Sequence, residues 1–362
     1  MALSQTKAPS PDDQFFSKPT WQVQYEKQKE QADKTGYVDL TLIEAMNMAF
    51  DEEMARDDKV MILGEDVGRD GGIFRLTDGL LDKYGRMRCY DTPISEMAIA
   101  GAATGLAMAG YRPIGEMQFC GFSYQAMHHY ESHMGRMLKR TNGRHKLPMV
   151  IHMPYGAGVR ALEHHSESPE SMYSYMPGLT VVTPSTPRNA RSLLKASIRS
   201  DEPVIFMEPK FLYRKYREPV PLEEEVSELR KTEVVQEGDD LTLVTWGAMR
   251  WFCDKAVNAL EGEGVSVDYL DLQTVSPMDS ATILASVRKT GRVVVVQENH
   301  RSFGVGSEIT RRINESDVFY ALEAPVGLVA APDVVTPLLS REHWYMPDEV
   351  KVLSECRRIL EA

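Results

Sequence analysis

Three stretches of this chain carry side chains whose type and spacing suggest chemistry. The first is Asp91-Thr92-Pro93-Ile94-Ser95-Glu96-Met97. Pro93 holds the chain before it extended and removes a backbone donor. Ser95 is a favourable N-cap, so Glu96 falls in the first turn of a helix. A short strand is predicted just before it, and ligand sites of parallel sheets gather at the carboxyl edge of their strands. A carboxylate there can act on a ligand, or it can simply stabilise the helix dipole. The second stretch is the polar loop LEHHSESPE (162–170), which holds His164 and His165. Histidine titrates near neutrality, and a polar loop suits a functional role better than a core does. The third is EMQFCGF (116–122), where Phe122 can stack on a ligand or fill the core beside Phe119 and Tyr124.

The surrounding pattern says what positions these residues. Thr41 can cap a helix through LIEAMNMAFDEEMARD, where Leu42, Ala45, Met46 and Ala49 recur at helical spacing. VMILGED, CYDTPI, PIGEMQF, HKLPMVIHM, LTVVTPS and PVIFMEP read as buried strands. SEMAIAGAATGLAMAGY and ARSLLKASIRS read as helices among them. Small residues along the first of these helices, from Ala98 to Ala107, allow another backbone to approach closely. A proline- and acid-rich break at 221–237 reads as a linker. After it LTLVTWG, VSVDYLDLQTV and GRVVVVQEN repeat the buried-strand pattern, with helices at ALEG and SEITRRINES. The expectation is an α/β protein of two domains, 37–220 and 238–362, with mainly parallel sheets flanked by helices. Residues 1–36 read as a polar N-terminal arm with a short helix from Trp21 to Lys34. Phe15, Phe16, Trp21 and Tyr25 would dock there on a neighbouring subunit or on the chain's own domain.

Bulk properties exclude several classes. The 362 residues carry 41 Lys plus Arg against 53 Asp plus Glu, a net charge of -12, which argues against a general nucleic-acid surface. No apolar run is long enough for a membrane span. Cys89, Cys120, Cys253 and Cys356 lie far apart with no metal spacing, so reduced, buried thiols are expected. The N-terminus has no apolar signal core, and Asp12 and Asp13 argue against a transit peptide, so a cytoplasmic location is expected. Gly304-Val305-Gly306 invites a dinucleotide reading, but it lacks the third glycine of the fingerprint.

Taken together, LGEDVG (63–68), DTPISEM (91–97), EMQFCGF (116–122), HHSESPE (164–170), EPKFLYR (208–214), QTVSPMD (273–279) and LEAPV (322–326) resemble, in order, the beta subunit of the decarboxylase component of pyruvate and branched-chain 2-oxo acid dehydrogenases. That family is related to the transketolases, and the resemblance runs from about residue 37 to the end. It implies a transketolase-like pyrimidine-binding domain followed by a transketolase C-terminal-type domain, and thiamine diphosphate as cofactor. Glu96 matches the glutamate that hydrogen-bonds N1′ of the aminopyrimidine. There it helps the cofactor's own imino group deprotonate the thiazolium; glutamine could accept no such proton, and aspartate would be about one methylene short. Phe122 matches the aromatic residue on the aminopyrimidine face, Ile94 an apolar residue near that ring, and Gln118 a residue lining the pocket in some relatives. His165, rather than His164, matches the histidine at the reacting end. Glu167 departs from the glutamine common in relatives. Glu65, in LGEDVG, would orient the site or pair across an interface. Relatives also often carry a structural potassium site of backbone carbonyls near the segment matching 197–203. Ser200 and Glu202 stand here where Asp and Asn are common, so that site stays open.

The Mg²⁺ that bridges the cofactor's phosphates is held in the family by GDG followed by a later NN. The nearest string here, Glu237-Gly238-Asp239-Asp240, lacks the second glycine, and no NN follows. The resemblance therefore implies that an alpha subunit holds Mg²⁺ and the diphosphate, in a heterotetramer of two alpha and two beta chains. The implied reaction is oxidative decarboxylation of a 2-oxo acid, with acyl transfer to lipoyl on an acyltransferase core. Pyruvate is the first choice of substrate. A branched-chain or acetoin dehydrogenase beta subunit, a half-transketolase, and a non-catalytic scaffold of the same fold remain as alternatives.

Overall fold

The computed structural model describes residues 18–362. Phe15 and Phe16 lie outside the described residues.

Seven strands form the first sheet, in the order Thr274–Ser276, Thr180–Val182, Val204–Pro209, Val150–Tyr155, Arg112–Glu116, Val60–Gly64, Cys89–Asp91. All neighbours run parallel except the edge strand Thr274–Ser276. The central strands are mostly apolar and buried because helices cover both faces, with His152 and Glu208 as buried exceptions. Every residue of Val60–Gly64, Val150–Tyr155 and Val204–Pro209 is buried.

On one face lies the helix Leu42–Arg56. Its capping box is complete: the Thr41 hydroxyl accepts from the Glu44 N–H, and Glu44 Oε2 accepts from the Thr41 N–H at 2.9 Å. It packs along the helix Pro187–Arg199, burying Met46, Phe50, Leu193, Leu194 and Ile198 in one core. On the other face the helix Glu96–Met108 buries Ile99, Ala100, Ala103 and Ala107 against Leu63, Ile151 and Tyr130. Its small residues bring it close to the segment His129–Met134. A side chain at Gly101 would meet His129 Cε1 at 3.0 Å.

The second sheet has the order Gly327–Ala331, Val293–His300, Leu241–Thr245, Val267–Asp271, Glu233–Gln236, with only the last strand antiparallel. Helices Met249–Gly262, Ser280–Thr290, Val305–Asn314 and Glu349–Leu360 flank it.

Three features differ from the sequence reading. Residues 221–237 are not a free linker: Pro221 pairs with Tyr37 in a two-stranded ribbon, and Glu233–Gln236 joins the second sheet. Its prolines and acids hid short edge strands, which need few apolar residues. Conversely, Thr274–Ser276 leaves the C-terminal half of the sequence to close the edge of the first sheet. The third is at the N-terminus. The segment from Thr20 to Thr35 is a docked helix rather than a loose arm. Trp21 and Tyr25 pack on the cluster of Val38, Leu40 and Met48, and Trp21 Nε1 donates to Asp51 Oδ2 at 3.2 Å. These two aromatics crowd onto their own domain.

All four cysteines are free and buried. No helix among the described residues is long and apolar enough to cross a membrane.

Candidate active site

The site begins where the strands Val60–Gly64 and Cys89–Asp91 end. The Ser95 hydroxyl accepts from the Ala98 N–H at 3.3 Å, which starts the helix at Glu96 as its sequence predicted. Glu96 is only 5% exposed, yet among the described residues its carboxylate has neither a hydrogen-bond nor an ion-pair partner. Beside it lies Glu65, also buried, which accepts from the Ser95 N–H and leaves Oε1 without a partner. Burial, then the neighbouring Glu96 charge, raises the Glu65 pKa above the usual carboxylate range. Tyr130, from the facing segment, lies buried within electrostatic reach of Glu96.

The next strand, Arg112–Glu116, delivers Gln118 and Phe122. Gln118 Nε2 donates to Asp66 Oδ2 at 3.0 Å, tying this strand's end to that of Val60–Gly64. Phe122 is half-buried in the turn Phe122–Ala126, on which the helix Glu96–Met108 packs. His165 meets Phe122 edge-on, with ring centroids 5.3 Å apart at 75°. Its closer neighbour is Phe119, at 4.0 Å, and His164 lies 4.2 Å away. Burial lowers the His165 pKa, helped by His164 and by the cation of Lys210. A neutral imidazole, able to accept a proton, is therefore favoured near neutral pH.

Glu96 and Glu65 thus form one group, and Phe122, Phe119 and His165 another, joined through one helix and one turn. Ile94 stands apart: it is 86% exposed, and nothing among the described residues covers it. Two residues escaped the sequence reading. Phe119 was seen only as a neighbour of Phe122, although it makes the closest ring contact to His165. Glu298, in the second domain, contacts the histidine loop; the acidic end of the buried strand GRVVVVQEN was the available signal.

Two other motifs have partners within the chain. Gly306 N–H donates to Gln297 Oε1 at 2.7 Å, and a side chain at Gly304 would collide with the Gln297 amide. These glycines make room for a glutamine rather than a dinucleotide. In the segment 197–203, the carbonyls of Ile198 and Ser200 accept from Arg112 at 3.0 and 2.9 Å. One guanidinium nitrogen thus serves both carbonyls. Among the described residues no group of three or more His, Cys, Asp or Glu is placed to hold a metal ion.

Comparison with known proteins adds to this geometry. Residues 39–215 match the family model "Transketolase, pyrimidine binding domain", and residues 230–352 match "Transketolase, C-terminal domain". The pyruvate dehydrogenase E1 component subunit beta of Acholeplasma laidlawii is 44% identical, over 89% of this chain and 98% of its own length. That of Bacillus subtilis (strain 168) is also 44% identical, over 89% and 99%. Among solved structures, a split-gene transketolase described as an inactive beta4 tetramer superposes with a TM-score of 0.72. It has 21% identity and covers 89% of this chain and 98% of that one, so it speaks to the fold alone. With both domain models matched in order and relatives this similar along nearly their whole length, the chain belongs to the family of pyruvate dehydrogenase E1 component beta subunits.

Proposed function

We propose that this chain, joined to an alpha subunit, decarboxylates a 2-oxo acid with thiamine diphosphate and passes the acyl group to lipoyl on an acyltransferase core. The supporting observation is Glu96, a buried residue at the carboxyl edge of a parallel sheet whose carboxyl group has no hydrogen-bond or ion-pair partner among the described residues. An orphaned buried acid is costly unless something arrives to pair with it. The N1′ nitrogen of an aminopyrimidine is such a partner, so the residues present fit the cofactor. When bound, the cofactor supplies the carbon nucleophile and the electron sink for loss of CO₂.

The roles of the side chains follow. Glu96 holds a proton at N1′, with Glu65 beside it. Phe122 covers the aminopyrimidine face, where ring stacking adds about 0.5–1.5 kcal/mol beyond burial. Gln118, fixed on Asp66, lines the pocket, and Ile94 supplies apolar surface that closes once the alpha subunit covers it. His165, half-exposed and favouring its neutral form, is the residue to accept a proton or hold the substrate carboxylate or the dihydrolipoyl group. Mg²⁺ and the diphosphate fall to the alpha chain, in a two-alpha, two-beta assembly.

The test is co-expression with a candidate alpha chain and decarboxylation assays on pyruvate, 2-oxoisovalerate and acetoin. Pyruvate is expected to be the preferred substrate. Glu96→Gln should lower turnover by roughly 10²–10⁴-fold without disturbing assembly. Unchanged decarboxylation by that variant would make this chain a scaffold.

A further inference from the structure

The loop that carries His165 is held from the second domain. It leaves the strand Val150–Tyr155 at Gly156 and returns at Ser168. Its neck is closed by the Gly156 N–H donating to the Glu167 carbonyl at 2.8 Å. Glu298, on the strand Val293–His300 of the other sheet, reaches both sides of that neck with one oxygen. Its Oε1 accepts from the Ala157 N–H at 2.5 Å and from the Ser168 hydroxyl at 2.9 Å. The approach demands glycine: residue 156 has φ +87°, and a side chain there would meet Glu298 Oε1 at 2.8 Å. Further along the loop, the Arg160 N–H donates to Oε2 of Glu342, again from the second domain, at 2.9 Å. Lys210 supplies a buried cation near both acids; its ammonium donates to the Gly156 carbonyl and stands 6.0 Å from the ring of Phe119, on which His165 rests.

We infer that Glu298 is a positioning residue for His165: a second-domain latch that staples the two ends of the catalytic loop and thereby fixes the imidazole against Phe119 and Phe122. The C-terminal domain therefore takes part in the chemistry through the first domain's loop. This rests on the reading of His165 as the histidine at the reacting end.

Three variants test it. Glu298→Ala removes both acceptor bonds, Ser168→Ala removes one, and Glu298→Gln keeps an acceptor oxygen at the same place. Amide hydrogen exchange of the full chain reads the loop without cofactor or partner. In Glu298→Ala, exchange over 156–168 should rise by roughly tenfold or more, while the strands 150–155 and 293–297 stay protected. Ser168→Ala should give a smaller rise, and Glu298→Gln should remain near the parent. In the complex with the alpha chain, Glu298→Ala should lower turnover. The same change added to His165→Ala should cost nothing further, because the latch acts through that histidine. Unchanged loop exchange in Glu298→Ala, or in Ser168→Ala should the former fail to fold, would overturn the latch. So would fully additive losses in the double variant. A loosened loop together with an active Glu96→Gln complex would retain the latch and discard the decarboxylase reading instead.

Discussion

His165 shows how much a side chain's surroundings decide. Burial, His164 and Lys210 all disfavour its charged form, so its folded-state pKa lies below the ordinary histidine value. Protonation is therefore postponed as pH falls. The rate of the assembled enzyme should hold through about pH 6.5 and decline only at lower pH. Lys210→Met removes a repelling cation and should move that decline upward, which a pH profile of kcat/KM will read; an unmoved profile would remove Lys210 from the account. At this scale the sequence was legible where a motif is continuous. Glu96 follows its N-cap within one segment, and Phe122 and His165 each sit in a recognisable string. It was not legible where contact is made by folding alone. Phe119 meets His165 across 46 positions of chain, and Glu298 meets Ala157 across 141. No local pattern reports such a meeting.

Turns and helices set the next scale. The backbone at Gly121 is so close to the His164 carbonyl that a side chain there would lie 2.2 Å from that oxygen. Gly121→Ala must displace one of the two segments that make the site. We expect a loss of about 1–3 kcal/mol in stability, measured by urea unfolding, and a fall in turnover larger than that of a neutral surface change. The short helix Glu170–Ser174 carries another constraint. Glu170 is wholly buried, accepts from Trp246 Nε1 at 3.1 Å, and burial pushes its pKa up to about 8. An acid whose folded pKa is raised keeps its proton in the native state after the unfolded chain has released it. Stability is thus lost as pH climbs from the unfolded value toward 8, and levels off above it. Glu170→Gln keeps an acceptor for Trp246 and removes the ionisation. It should flatten that decline, so that the variant gains stability over the parent as pH climbs toward 8. Melting curves between pH 5 and 9 will show whether the two proteins diverge in that window. Elements with strong periodicity, such as Leu42–Arg56 and Pro187–Arg199, were plain in the sequence. The ribbon of Tyr37–Leu40 with Glu218–Pro221 was not, because its prolines and exposed positions imitate a loop.

For the molecule as a whole, the exposed Ile94 and the half-exposed Phe122 suit the proposal that a second chain covers this face and takes the cofactor's charged end. Titration calorimetry of this chain alone with thiamine diphosphate and Mg²⁺ should give no binding heat, and the single polypeptide should show no turnover. Both should appear on adding the alpha subunit, with a sedimentation mass that fits two of each chain. Turnover by the isolated chain would refute this division. The two α/β layers were legible from alternating strands and helices, but their seam was not. Linear order places 274–276 in one half, whereas hydrogen bonding places it in the other.

That borrowed edge bears on how the protein could be cut. A fragment ending near residue 220 would lose its outermost ribbon and leave Thr180–Val182 with bare amides and carbonyls along an apolar margin, an invitation to self-association. The remaining fragment would carry three residues with nothing to lie against. The halves should consequently melt as one cooperative unit, and a nick in the connecting segment should leave them clasped.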